Sequence, residues 1–227
     1  MKFDTVFFAS FVTLFAFLFG CAVKRRFKSP LLNPMIFGIF ISIGAITLLK
    51  IDYAEYAKDT KFISVLLTPA TACLAVPLYE QFELLKRNLT AVLSAIAAGV
   101  LTNGIFIFAA AVLFKLGHYD YVSLLPKSIT TAIGIAVSEQ AGGCVPLTVA
   151  AICVTGISGN MFGEEFCKLC GINNRIAKGV AIGTASHVIG TSKAMEMGEV
   201  EGAFSSLSLI VTGIISVFAI NIFTKLL

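Results

Sequence analysis

The strongest constraint on this chain is where charge is missing. Stretches free of Asp, Glu, Lys and Arg cover residues 5–23, 29–49, 62–79, 88–114, 128–138, 140–163, 179–192 and 202–224. A helix needs about 20 consecutive apolar residues to cross the hydrocarbon of a bilayer. Five of the eight stretches meet that need, 62–79 is marginal, and 128–138 and 179–192 fall short. With 57% hydrophobic residues, 13% charged ones and a mean hydropathy of +0.92, the composition lies outside the range of soluble globular chains. The sequence therefore predicts an all-α integral membrane protein of about seven or eight transmembrane or re-entrant segments.

The short stretches carry the functional signal. A long uniform segment satisfies its own backbone hydrogen bonds, whereas a short one rich in Gly, Pro and Ser needs protein or a water-filled cavity around it. Orientation follows from the basic residues. Lys24, Arg25, Arg26 and Lys28 follow the first apolar stretch instead of preceding it, so that stretch is not a secretory leader. The positive-inside rule places this cluster in the cytoplasm and the N-terminus outside. Lys86 and Arg87, read as a loop, agree if both intervening segments cross. The net charge of +4 is then explained by orientation and does not call for nucleic acid. The six cysteines lie mostly inside apolar stretches, and Cys167 and Cys170 form a lone CxxC. Neither a metal site nor a disulfide framework is expected from them.

No linker divides the chain, which reads as one domain over 1–227 with two similar halves, about 4–114 and 119–225. A shift of 115 positions lays 4–23 over 119–138, 34–49 over 149–164, and 88–110 over 203–225. It also lays TPATACLAVP (68–77), with Thr68 and Thr71, over GTASHVIGTS (183–192). Corresponding interrupted segments in two halves point to a transporter binding site near the bilayer midplane. Four full crossings per half would make the repeats parallel; one re-entrant segment per half would invert them.

Two polar islands could carry chemistry. In GTASHVIGTSK, Gly183 and Gly190 weaken the helix, and Thr184, Ser186, Thr191 and Ser192 can satisfy freed backbone groups or a ligand. A break there exposes the amides of a half-helix, which attract a carboxylate, with Lys193 or His187 adding positive charge. His187 has two readings, a proton carrier or a neutral donor that fixes the break. The second island, LLPKSITTAIGIAVSEQAGG (124–143), offers a helix start at Pro126, the hydroxyls of Ser128, Thr130 and Thr131, and Lys127 at the mouth. It is the best candidate for a half-membrane hairpin, closed by Gly142 and Gly143. Asn103 and Asn160 read as interhelical hydrogen-bond formers. With only His118 and His187, no GxSxG, no HExxH and no phosphate-binding loop, no enzyme template fits and no cofactor is expected.

These two islands, with support from LNPMIFGIFI, LLTPATACLAVPLYEQFELLKRN and the continuation MEMGEVEGAFSSLS, resemble the LrgB family, which includes the CidB proteins. The resemblance implies an LrgB-like domain in a bacterial inner membrane, crossing it several times beside a small LrgA- or CidA-like holin-like partner. Members are described as antiholin-like regulators of murein hydrolases, and plastid relatives resemble carriers of glycolate and glycerate; bacterial pairs are linked to pyruvate. The wider fold resembles inverted-repeat secondary transporters, an analogy that favours a homodimer. Many relatives have a proline after the paired threonines, where this chain has Ala132. The expected function is transport of a small monocarboxylate by alternating access; the alternative is a non-transporting, antiholin-like regulator.

Overall fold

The computed structural model describes residues 5–27 and 33–227, without the side chains at 5, 6, 62, 64, 67, 68, 71 and 78. The chain is helical throughout, with no strand among the described residues. Contacts divide it into two units, Met1–Cys73 and Leu74–Leu227.

The first unit holds α1 (Thr5–Phe27), α2 (Pro34–Leu49), α3 (Tyr53–Asp59), α4 (Lys61–Val65) and α5 (Leu67–Cys73). Lys28 lies outside the described residues. The ends of α2 are fixed by its sequence. Asn33 accepts the Met35 amide at 2.8 Å, Pro34 fills the first turn, and Lys50, at φ 52°, turns the chain away. The resulting 16 residues span about 24 Å, less than the hydrocarbon thickness, although the charge-free stretch is longer. α1 and α2 cross closely at Gly20, where a Cβ would lie 2.7 Å from Pro34 Cα. The aromatic side of α1 is left outward, with Phe7 83% exposed.

The marginal stretch 62–79 does not form one span. It is divided among α4, α5 and α6 (Ala75–Glu80). Pro69 and Pro77 each sit in the first turn of a short helix, where the missing amide hydrogen is tolerated. The same missing donors cannot continue the helix before them, so α4 and α5 stop.

The second unit continues from α6 through α7 (Phe82–Phe114), α8 (His118–Leu124), a 3-10 turn (Leu125–Ser128), α9 (Thr131–Gln140), α10 (Val145–Leu169), α11 (Arg175–Met197) and α12 (Glu199–Phe223). Four helices among the described residues are long and apolar enough to cross a membrane: Phe7–Phe27, Phe82–Phe114, Val145–Leu169 and Glu199–Phe223. Lys86 and Arg87 lie within α7 rather than in a loop, in the first turns of that span.

The stretch 128–138 becomes a short helix that turns straight into a long one. Ten residues of α9 rise about 15 Å, half the hydrocarbon thickness. Gly142 supplies the turn at φ 74°. Buried hydroxyls then hold the hairpin together. Ser123 accepts the Cys144 amide at 2.6 Å, Thr148 donates to the Ser123 carbonyl at 2.9 Å, and Ser138 meets Thr148 at 2.7 Å. Glu139 faces outward.

α11 is sandwiched between α10 and α12, and small residues set the distances. Gly156, Gly159 and Gly163 on α10 face His187, Ser186 and Ile182, while Gly179 and Gly183 on α11 lie against backbone at Glu201 and Ser205. At their N-terminal ends α11 and α12 are tied by Arg175, whose Nε and Nη2 each lie 3.0 Å from the buried Glu201 carboxylate.

Candidate functional site

α7 brings Ala91, Ala95 and Gly99 to one face at four-residue spacing; α11 brings Ala177, Ala181 and Ala185 in the same way. Residues this small leave volume between the helices unfilled. The result is a cavity of about 690 Å³ bounded by α7, the 3-10 turn, α11 and α12. One charged side chain, Lys127, is among those lining it.

Pro126 and the 3-10 turn hold Lys127 in place. Its ammonium donates to the neighbouring Ser128 hydroxyl at 3.2 Å, and no carboxylate is paired with it among the described residues. Ser128 reaches Asn103 Oδ1 at 3.4 Å, and Asn103 Nδ2 donates to the Leu125 carbonyl at 3.1 Å. Asn103 thus secures the turn to α7 and lines the cavity. Lys127 is half-buried, and an ammonium with no paired carboxylate beside a hollow is chemically able to hold a small anion. Thr184, Thr212 and Ser216 line the same space from α11 and α12.

The break in α11 falls at Ser186 and His187, whose dihedrals are not helical; His187 has φ 44° and ψ −143°. Positive φ is uncommon for a residue with a Cβ and carries strain of roughly 1–3 kcal/mol. The surroundings hold it there. His187 Nε2 lies 3.0 Å from the Ile152 carbonyl, which can only accept, so this nitrogen carries the proton. Thr191 donates to the His187 carbonyl at 2.8 Å and meets Ser205 at 2.9 Å. Gly183 and Gly190, expected to weaken the helix, flank the break and allow close approach: Gly183 packs on Ser205 and Gly190 on Ser186.

The residues singled out in the sequence therefore fall in different places. Lys127, Ser128 and Thr184 meet at the cavity. Ser186, His187 and Thr191 are enclosed where α11 packs. Ser192 accepts from Asn160 at 3.0 Å, and Lys193 is held by Glu164 at 2.9 Å and Glu196 at 3.8 Å, on the side toward α10. Thr130 and the exposed Thr131 start α9 and do not line the cavity. The side chains of Thr68 and Thr71 lie outside the described residues. Sequence reasoning passed over Thr212 and Ser216, and Asn103 only as a possible ligand. The signal was present in α12, where Ser205, Ser208, Thr212 and Ser216 recur at spacings of three and four on one face.

Fold and cavity together define a multi-helix membrane protein whose larger unit holds a mainly apolar hollow with a few polar groups at Lys127, Ser128 and Asn103. Residues 13–226 match the model of the LrgB-like family, and the chain belongs to that family. It is 34% identical over 205 residues to "Holin-like protein CidB" of Staphylococcus epidermidis (strain ATCC 35984), covering 90% of each chain. It is 35% identical over 205 residues to "Holin-like protein CidB" of Staphylococcus aureus (strain N315), again over 90% of each. "Uncharacterized protein YxaC" of Bacillus subtilis (strain 168) is 34% identical over 209 residues, 91% of this chain and 90% of that one. No solved structure matches.

Proposed function

We propose that the protein carries a small monocarboxylate of the pyruvate, glycolate or glycerate class across a bacterial inner membrane, binding it at Lys127 and Ser128 in the cavity. The observation that carries this reading is a cation within a 690 Å³ hollow and no paired carboxylate among the described residues. The carrier acts by binding and movement, not by catalysis. Alternating access would come from helices around the hollow shifting against one another, and α11, already broken at Ser186–His187, is the element best suited to bend. A small LrgA- or CidA-like membrane protein is the expected partner, with a homodimer as the expected assembly.

The test is uptake of labelled pyruvate or glycolate into proteoliposomes containing the full chain, with and without such a partner. Saturable uptake is expected. Its absence in both preparations would overturn the proposal. The holin-like name of the CidB relatives favours a second reading, a regulator of a holin-like partner. That reading requires binding of the partner without any acid flux.

A further inference from the structure

The two halves of α11 do not lie end to end. Along a straight helix Ile182 and Gly190 would stand about 12 Å apart. A Cβ at Gly190 would instead lie 3.2 Å from Ile182 Cγ2. Arg175 and Gly198, at opposite ends of α11, are neighbours too: a Cβ at Gly198 would lie 2.6 Å from Arg175 Nη2. Two adjacent residues of α10 bear out the fold-back, since Gly163 lies against Ile182 while Glu164 pairs with Lys193 at 2.9 Å. α11 therefore runs inward from Arg175 to Ser186, turns at the break, and returns from His187 to Met197. Each limb rises about 17 Å, roughly half the hydrocarbon thickness, so both ends stand on one face.

The segment α8–α9 does the same from the opposite face. Tyr121 donates to the Phe223 carbonyl at 2.9 Å, so α8 starts beside the last turn of α12. Leu125 meets Asn103 in the middle of α7, and Ile133 meets Gly213 in the middle of α12. α9 then returns, and the Cys144 amide is back at the Ser123 hydroxyl, 2.6 Å away. α7 and α12 run the same way: Phe204 clusters with Val92 and Ile96, and Phe223 lies against Gly104. The start of α12, tied to the base of α11 by Glu201 and Arg175, is thus at the face opposite Tyr121. Short repeats mark the same relation. Ile-Gly recurs at 133–134 and 189–190, and Val-Thr-Gly-Ile at 154–157 and 211–214. A hairpin followed by a span occurs twice, and the two spans, α10 and α12, run in opposite directions.

The lining of the hollow starts at Asn174, exposed at the N-cap of α11, and at Asn88, next to Arg87. It ends at Lys127 and Ser128, where α8–α9 turns. Beyond that turn the protein is shut by a buried apolar cluster, in which Leu125, Ile129 and Val137 pack with Ile107, Tyr121 and Phe223. We infer that the hollow is a one-sided vestibule, entered from the face that carries Lys86, Arg87 and both ends of α11, and plugged from the other face by the α8–α9 hairpin. By the positive-inside rule the open face is cytoplasmic. A vestibule of this kind serves a carrier or a regulator and does not depend on any ligand's identity.

The experiment treats the full chain with a membrane-impermeant maleimide in sealed right-side-out and inside-out vesicles, each labelled site being located by mass spectrometry. Native Cys170, exposed at the end of α10, marks the open face. Glu199→Cys, just past the return limb of α11, should label in the same vesicles as Cys170; Gln140→Cys, at the end of α9, should label in the others. Ala95→Cys and Ala181→Cys, in the lining, should label in the Cys170 orientation and lose that labelling in the opposite one. Glu196→Cys replaces Glu199→Cys should the latter fail to insert, and either lining variant suffices alone. Labelling of Cys170 and Glu199→Cys from opposite sides would mean that α11 crosses the membrane, and would overturn the inference. Labelling of the lining from the Gln140 side, or from neither side, overturns it as well. The uptake test of the carrier reading is decided separately from all of these outcomes.

Discussion

The larger unit is interrupted at two places, and they are finished in opposite ways. At Ser186–His187 the protein supplies partners itself: the Ile152 carbonyl for the imidazole, and Thr191 and Ser205 for the backbone turn. At Leu125–Thr130 the chain secures only the turn, through Asn103, and leaves Lys127 beside open space. Polar groups in a short apolar segment are thus not equivalent. Those with internal partners hold a bend, and those without are available to a ligand. The island with histidine, hydroxyls and lysine looked richer in sequence, yet most of its groups are already satisfied.

The sharpest way to break this comparison is Lys127→Gln. Uptake of a monocarboxylate should fall by about 10- to 100-fold, the worth of a hydrogen bond to a charged group, with the melting temperature unchanged. If uptake survives, the cavity is not the binding place. Gly159→Ala attacks the sealed break instead. A Cβ there overlaps the Ser186 side chain, and overpacking should lower stability by about 1–3 kcal/mol, seen as a lower melting temperature by circular dichroism in detergent.

His187→Ala removes one buried hydrogen bond, from the imidazole to the Ile152 carbonyl, a loss of about 0.5–1.5 kcal/mol. His187→Gln should recover part of that by replacing the donor. Full recovery of stability together with loss of uptake would instead favour the proton-carrier reading. The smallest effect belongs to Lys193→Ala. Its partly exposed pairs with Glu164 and Glu196 are worth about 0–1 kcal/mol, and uptake should persist, since Lys193 stands outside the cavity. Loss of uptake would return it to the site.

Much of the helical layout was legible. α7, α10 and α12 follow the charge-free stretches because such segments can satisfy their backbone only as helices. The stretch 179–192 was read as interrupted, and it is. The stretch 29–49 was longer than the helix it forms, because Asn33, Pro34 and Lys50 end α2 by local geometry and not by hydropathy. Residues 62–79 were harder still, since two prolines convert an apolar run into short pieces. Of the proposed repeats, 88–110 is helix and 203–225 is helix as far as Phe223, and 68–77 and 183–192 are both interrupted. The pair 4–23 and 119–138 differs: the described part of the first, 5–23, is a continuous helix, against a turn and two short helices in the second. The site was less legible. Lys127, Ser128 and Thr184 were named from residue type, but Thr212 looked like any other helical threonine.

By itself the sequence determined that the chain is a helical membrane protein with two polar interruptions. Charge-free length and helix-breaking residues are local properties, and the bilayer judges segments one at a time. Only the tertiary structure decided which polar groups are spent on the protein and which face the hollow. That depends on whether a carbonyl from α10 reaches His187, or Asn103 reaches the turn at Leu125, across helices far apart in sequence. Hydrogen bonds between distant segments leave no periodic trace in the chain.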